Sequence, residues 1–274
     1  MTATAPLTDR DALARNRARA ARRGPALFLH EAAAAEVNER LSEVNRRFTD
    51  AAVVTAFAAP WQHILPNARI VDEAEHLSLT PGAHDLIVHA LSLHWANDPL
   101  GQLIQCRRAL RPDGLMLAVA FGGQTLVELR SSLAEAESRL AGGLAPRVLP
   151  MAELRDLGDL LPRAGFALPV ADVAPLRVSY ADTFALFADL RAMGEGNAMS
   201  ARSRRWPGRE LFALAARIYA ENFAGPDGRI RTSFDMVCLT GWAPDPSQPQ
   251  PLRPGSASHR LTDVLSAIAK DQSE

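Results

Sequence analysis

The sequence predicts an α/β fold, a largely parallel sheet with helices on both faces. Three observations carry this. Residues 84–91 (His-Asp-Leu-Ile-Val-His-Ala-Leu) and 115–121 (Leu-Met-Leu-Ala-Val-Ala-Phe) are short, nearly continuous apolar runs, the pattern of strands covered on both sides. Between them, Leu100, Leu103, Ile104 and Leu110 make an apolar helical stripe. Asp98 stands where it can cap that helix, Pro99 suits its first position, and Pro112 and Gly114 mark a tight turn after it. A helix joining two such strands is a right-handed crossover.

Size and composition bound the rest. A chain of 274 residues with 47% hydrophobic content can bury one large core with additions, or two small ones. The net charge of −1 gives no global attraction to nucleic acid. Lys270 is the single lysine, an arginine bias of the kind a GC-rich bacterial genome imposes. Cys106 and Cys238 lie in apolar runs and read as buried thiols of a reducing compartment. No apolar run approaches the length of a membrane span, and the N-terminus lacks a signal-peptide core. The expectation is a cytoplasmic protein, with peripheral membrane contact left open.

The remaining elements follow in order. Thr8 is placed to cap a helix with Asp9 and Asp11 in its first turn. Its arginines (Arg10, Arg15, Arg17, Arg19, Arg22, Arg23) read as a solvated face, or as a surface for a protein, an anionic membrane or RNA. Gly24-Pro25 breaks it, and a second helix runs from about Leu27 to Arg47. Residues 51–57 form the first strand, and 68–71 a short one. Downstream, helices are expected over 124–140, with a capping box from Thr125 to Glu128, and over 151–164. A strand or two broken by Pro169 and Pro175 fill 166–180. Asp182 caps a helix through Met193, residues 210–223 form another, and 229–242 return as a strand. Three regions result: an N-terminal helical extension over 1–48, an α/β domain over 49–243 with a helical hairpin over 182–224, and a Pro/Ser-rich linker with a short helix over 244–274.

The wording of two segments is more specific than their pattern. Asp85-Leu86-Ile87-Val88 leading into Ser92-Leu93-His94-Trp95-Ala96-Asn97-Asp98, then Leu110-Arg111-Pro112-Asp113-Gly114, resembles the second half of a class I S-adenosylmethionine-dependent methyltransferase. The branch it resembles holds the malonyl-carrier-protein methyltransferase of biotin synthesis and complex I assembly factor five. Residues 189–198 (Asp-Leu-Arg-Ala-Met-Gly-Glu-Gly-Asn-Ala) resemble a signature of the assembly-factor branch. The resemblance implies a Rossmann-like sheet, N-terminal helices, and a helical insertion before a last, antiparallel strand. It spans about Leu13 to Ala243.

The first half of the domain departs from that pattern. The family's first strand ends in an acidic residue and a glycine-rich turn, which lets the backbone approach the cofactor. Here Thr55-Ala56-Phe57-Ala58-Ala59-Pro60 follows the strand, and no glycine occurs between Gly24 and Gly82. Too little chain separates Phe57 from Asp85 for the usual second strand, helix and third strand. The ribose-binding unit is therefore expected to be lost and the N-terminal half shortened. Asp72 or Glu73 could serve as the ribose acid, although residues 71–86 align better with the segment before the fourth strand.

Several residues sit where ligands bind in open α/β sheets, beyond the carboxyl ends of strands. The cofactor candidates are Asp72, Glu73, Ser92, His94 and Trp95. The substrate-cleft candidates are Gly122, Gly123, Gln124, Arg191 and Asn197. Trp95 could instead pack under the next helix, and Arg191, Glu195 and Asn197 could simply cap one. His84 and His89 face opposite sides of their strand, which speaks against a shared metal. No Ser-His-Asp order, Walker loop or zinc spacing is present. Two functions follow. One is a protein maturation or assembly factor with a degraded S-adenosylmethionine site and a protein partner, a respiratory complex I subunit by resemblance. The other is an active S-adenosylmethionine-dependent methyltransferase on a protein or small carboxylate.

Overall fold

The computed structural model describes residues 5–249. The helix expected over 260–269 lies outside them. Residues 1–244 form one compact unit and 245–274 a second. The first unit opens with helices α1 (Arg10–Arg23) and α2 (Phe28–Glu43). Strand β1 (Ala51–Val54), helix α3 (Ala59–Ile64), β2 (Arg69–Val71), β3 (His84–Ala90), α4 (Pro99–Ala109) and β4 (Leu110–Gly122) follow. Then come α5 (Val127–Ala141), α6 (Leu154–Gly158), α7 (Leu160–Arg163), β5 (Ala167–Tyr180), α8 (Thr183–Ala192), α9 (Gly208–Phe223) and β6 (Ile230–Trp242).

The six strands lie in the order β2-β1-β3-β4-β6-β5. The first four are mutually parallel, and β6 runs antiparallel to both β4 and β5. This is a Rossmann-like α/β sheet with α8 and α9 inserted before the last strand. Its N-terminal half is short: one strand, β2, lies beyond β1, and α3 has six residues. Every residue of β3 is buried, as its unbroken apolar run requires. The pleat sends Val53, Leu86, Val88, Leu117 and Val119 to the face under α2, α5 and α9, and Ala52, Ile87, Met116 and Ala118 to the face under α4 and α7.

Asp98 and Asp182 cap α4 and α8 as their positions suggest, accepting from Gly101 N and Ala185 N. Other local expectations are corrected. Asp9 caps α1, accepting from Ala12 N, while Thr8 is drawn into a bridge with Met199. No Thr125–Glu128 capping box forms. The Thr125 hydroxyl donates to Gly122 O and accepts from Asp235 N, and the Glu128 carboxylate takes Ser233 N and Oγ. Tertiary partners on β6 outbid the local ones. The helix expected over 151–164 is split into α6 and α7, and residues 167–180 form one strand despite two prolines, because β5 is an edge strand.

Gly122 is required by packing. A Cβ there would lie 2.5 Å from Val237 Cγ2 and 3.1 Å from Ala152 O. Gly122→Ala should destabilise the chain by about 1–3 kcal/mol through overpacking. Adding Val237→Ala should recover part of that loss in urea unfolding. Additive costs in the double variant would contradict the close approach.

A candidate site at the carboxyl edge of the sheet

The carboxyl ends of β1, β2, β3 and β4 meet along one edge, and α1 lies across it. Asn97 pins the start of α1: its Oδ1 accepts from Thr8 N at 2.8 Å, and its Nδ2 donates to Thr8 O and Glu75 Oε1. Asp9 N and Ser200 N pair with Ala198 O and Leu7 O, so the segment after α8 is laced to the same helix. The chain is strained at this edge. Leu91 and Leu126, just beyond β3 and β4, have φ of 48° and 55°, a region that β-carbon sterics disfavour.

Arg17 projects from the buried side of α1 into the centre of the edge. Its Nε lies 3.1 Å from Glu73 Oε1 and its Nη1 2.7 Å from Glu195 Oε1, and Nη1 also donates to Met193 O. Its guanidinium stands 5.6 Å over the Phe57 ring. Glu195 Oε2 accepts from Trp95 Nε1 at 2.7 Å and faces His94 Nε2 at 3.4 Å. Phe121 N–H points at His94 Nδ1, so Nε2 carries the proton toward Glu195. Burial alone would raise the Glu195 carboxyl; Arg17, His94 and Trp95 outweigh it and hold the group below the usual carboxylate range. Two buried polar atoms of this centre, Arg17 Nη2 and Glu73 Oε2, have no partner.

Two hollows flank the centre. The smaller, about 230 Å³, is lined by Arg10, Leu13, Ala14 and Arg17 of α1 and by Thr55, Ala56, Asp72 and Glu73 beyond β1 and β2. The larger, about 580 Å³, opens on the other side of Trp95 and Glu195, between α5, α8 and α9.

Residues 11–118 match the methyltransferase domain family. The chain is 37% identical over 210 residues to a protein named arginine-hydroxylase NDUFAF5, mitochondrial, from Danio rerio, covering 77% of this chain and 65% of that one. Its human counterpart is 37% identical over 194 residues, covering 71% of this chain and 56% of that one. A malonyl-[acyl-carrier protein] O-methyltransferase from Laribacter hongkongensis is 33% identical over 177 residues, covering 65% and 57%. The chain thus spans between about half and two thirds of the length of these relatives. Among solved structures, the YcgJ protein of Bacillus subtilis is similar over 79% of this chain and 100% of its own, at 11% identity and a TM-score of 0.49. The chain belongs to the class I methyltransferase family.

The structure distributes this family member's candidate residues unevenly. Glu73 joins the Arg17 centre, while Asp72 is exposed at the rim of the smaller hollow. His94 and Trp95 reach Glu195. Ser92 turns inward to His89 Nδ1, whose Nε2 bonds Gln102 Oε1; Gln102 in turn holds Ala74 O and Glu75 O. Ser92 thus steadies the loop carrying Glu73 from behind. Arg191 and Asn197 line the larger hollow, whereas Gly122, Gly123 and Gln124 do not. Gly123 faces the Asp235 carboxylate, which also accepts from Gln124 N. Among the described residues, Glu36, Asp172 and Cys238 come within metal-ligand reach of one another, but Arg40 already bridges both carboxylates. No helix among them is long and apolar enough to cross a membrane.

Arg17 is the residue that sequence reasoning missed. It had a signal: with Leu13 and Ala20 it shares one helical stripe, so a charged group interrupts the buried face of α1. The signature over 189–198 also gains a reason. Gly194, at φ 74°, would place a Cβ 2.9 Å from Arg17 Cδ, and at Gly196 a Cβ would lie 3.1 Å from Asn16 Nδ2. These glycines let α1 approach.

Arg17→Met leaves two glutamates buried without their cation. It should cost about 3–5 kcal/mol at neutral pH, and the Arg17→Met/Glu73→Gln/Glu195→Gln triple variant should regain most of that in urea unfolding. A single variant as stable as the parent chain would refute the pairing. Burial also pushes the His89 imidazole down from 6.5 to about 4. The unfolded chain then protonates first, so His89's contribution is full above pH 6.5 and falls as pH drops toward 4, by about 1.4 kcal/mol per pH unit. His89→Gln should flatten the loss of stability between pH 7 and pH 5; an unchanged slope would contradict it.

Proposed function

We propose that this methyltransferase-family protein has given its cofactor position to its own helix α1 and acts as a maturation or assembly factor for another protein. The observation that carries this reading is Arg17 held between Glu73 and Glu195 at the edge where the family seats S-adenosylmethionine. The residues present do not fit that cofactor. The hollow beside Asp72 measures about 230 Å³, below the roughly 300–1,000 Å³ typical of ligand sites. Thr55 and Ala56 stand in place of a glycine turn, and the Thr55 hydroxyl is spent on Phe57 N. Six residues of α3 replace a longer crossover helix, and no ribose-binding unit lies between β1 and β2.

The partner class follows from kinship. Relatives at 37–38% identity carry the arginine-hydroxylase NDUFAF5 name, and the resemblance of residues 189–198 is to the assembly-factor branch, which makes a respiratory complex I subunit the partner this reading assigns. The second reading, an active methyltransferase on a protein or small carboxylate, is favoured by Asp72, an exposed carboxylate beyond β2 that borders the hollow.

Calorimetric titration with S-adenosylmethionine and S-adenosylhomocysteine separates the two. No saturable heat at millimolar ligand is expected, and micromolar binding lost in Asp72→Ala would install the second reading. Deletion of the gene in its host should lower assembled complex I on native gels, with restoration by the intact chain. Unchanged complex I would sink the assembly role.

A further inference from the structure

We infer that the 580 Å³ cavity between α5, α8 and α9 binds an aliphatic chain ending in an anionic group, with the chain against the aromatic walls and the anion at Arg191 and Arg209. This rests on the cavity alone and holds whether or not a cofactor enters beside Arg17.

The walls are apolar. Leu129 and Leu133 of α5, Phe187 of α8, Phe212 of α9 and Phe234 of β6 surround a space far larger than the water-sized voids of a packed core. Such a volume lies within the range of small-molecule sites. The mouth is apolar too: Trp206 is 77% exposed and Phe184 54% exposed, although Trp206 leans on Phe212 at 5.9 Å and Phe184 on Phe187 at 6.0 Å. Large aromatic side chains left in water at a cavity mouth gain burial when a long apolar ligand fills it.

Charge selects the head group. Arg191 and Arg209 line the cavity, and neither has a hydrogen bond or ion pair among the described residues. A third arginine, Arg147, pairs with Glu137 through Nη2 while its buried Nε has no partner. One carboxylate, Glu195, borders the cavity, and it is committed to Arg17 and Trp95. The free charge of the lining is therefore positive. A guanidinium beside a carboxylate in a partly desolvated pocket makes a strong, oriented pair. An apolar cation finds no free counterion here.

The test follows tryptophan fluorescence of the full chain, since Trp95 and Trp206 both line the cavity. Decanoate, decanol and decyltrimethylammonium are titrated below their micelle concentrations. Saturable decanoate binding is expected, with decanol about tenfold weaker and the ammonium weaker still. Arg191→Glu/Arg209→Glu, both at the rim, should weaken decanoate at least about tenfold and leave decanol unchanged. Ala213→Trp, which fills the cavity, should abolish binding of both. Absence of saturable decanoate binding overturns the assignment, as does ammonium binding as tight as decanoate, or decanoate affinity unchanged in the double variant. Binding to phosphatidylglycerol vesicles without decanoate binding also overturns it and assigns the aromatic mouth to a bilayer.

Discussion

The architecture of the carboxyl edge depends on one buried cation. Arg17 is the only charge on the inner stripe of α1, and it meets Glu73 from the loop after β2 and Glu195 from the loop after α8. Burying three ionised groups is costly unless each is paired and hydrogen-bonded. That condition ties together three segments far apart in the chain. The neighbouring contacts serve the same end. Asn97 holds the first residues of α1, Trp95 and His94 complete the Glu195 shell, and Gly194 and Gly196 give the helix room. Much of the motif vocabulary of the downstream half, from Ser-Leu-His-Trp-Ala-Asn-Asp to Met-Gly-Glu-Gly-Asn, is used here to receive α1.

What could be read from sequence divides along a physical line. The β3–α4–β4 unit was legible because buried parallel strands, an Asp-Pro helix start and a Pro-Gly turn are local signals. The shortened first half was legible by counting: the chain between Phe57 and Asp85 holds α3 and β2 and no more. The helical insertion before an antiparallel last strand came from kinship, and β6 fills that place. The capping box at Thr125 misled because local and tertiary partners compete for the same hydroxyl, and β6 offers Asp235 N at 2.9 Å.

The site was less legible than the fold. Glu73, His94, Trp95, Arg191 and Asn197 were candidates from position alone, and each borders one of the two hollows or the ion centre between them. Gly122 and Gly123 were candidates for close ligand approach, yet the groups near them are Val237 and Asp235. A glycine after a strand records that something is close, not what it is. Arg17 was hidden among six arginines of similar spacing, of which Arg15, Arg19, Arg22 and Arg23 are exposed. Telling the buried one apart requires reading the apolar stripe, not the charge run.

The ion centre also bears on whether a cofactor could regain its place. Admitting one beside β1 would require Arg17 to swing out of the edge, leaving Glu73 and Glu195 buried and facing each other. Breaking such a pair costs about 3–5 kcal/mol, which would lower apparent affinity by roughly two to four orders of magnitude before any contact with the ligand is counted. The missing glycines and the lost ribose unit remove favourable contacts, and the ion centre adds an opposing term. The larger cavity carries no such penalty, because Glu195 forms part of its wall with its charge already satisfied. On the proposed reading, evolution of this chain closed one half of a bipartite site with a helix while leaving the acceptor half open. Arg17 holds both conditions at once, since the salt bridge that fills the first hollow also neutralises the wall of the second.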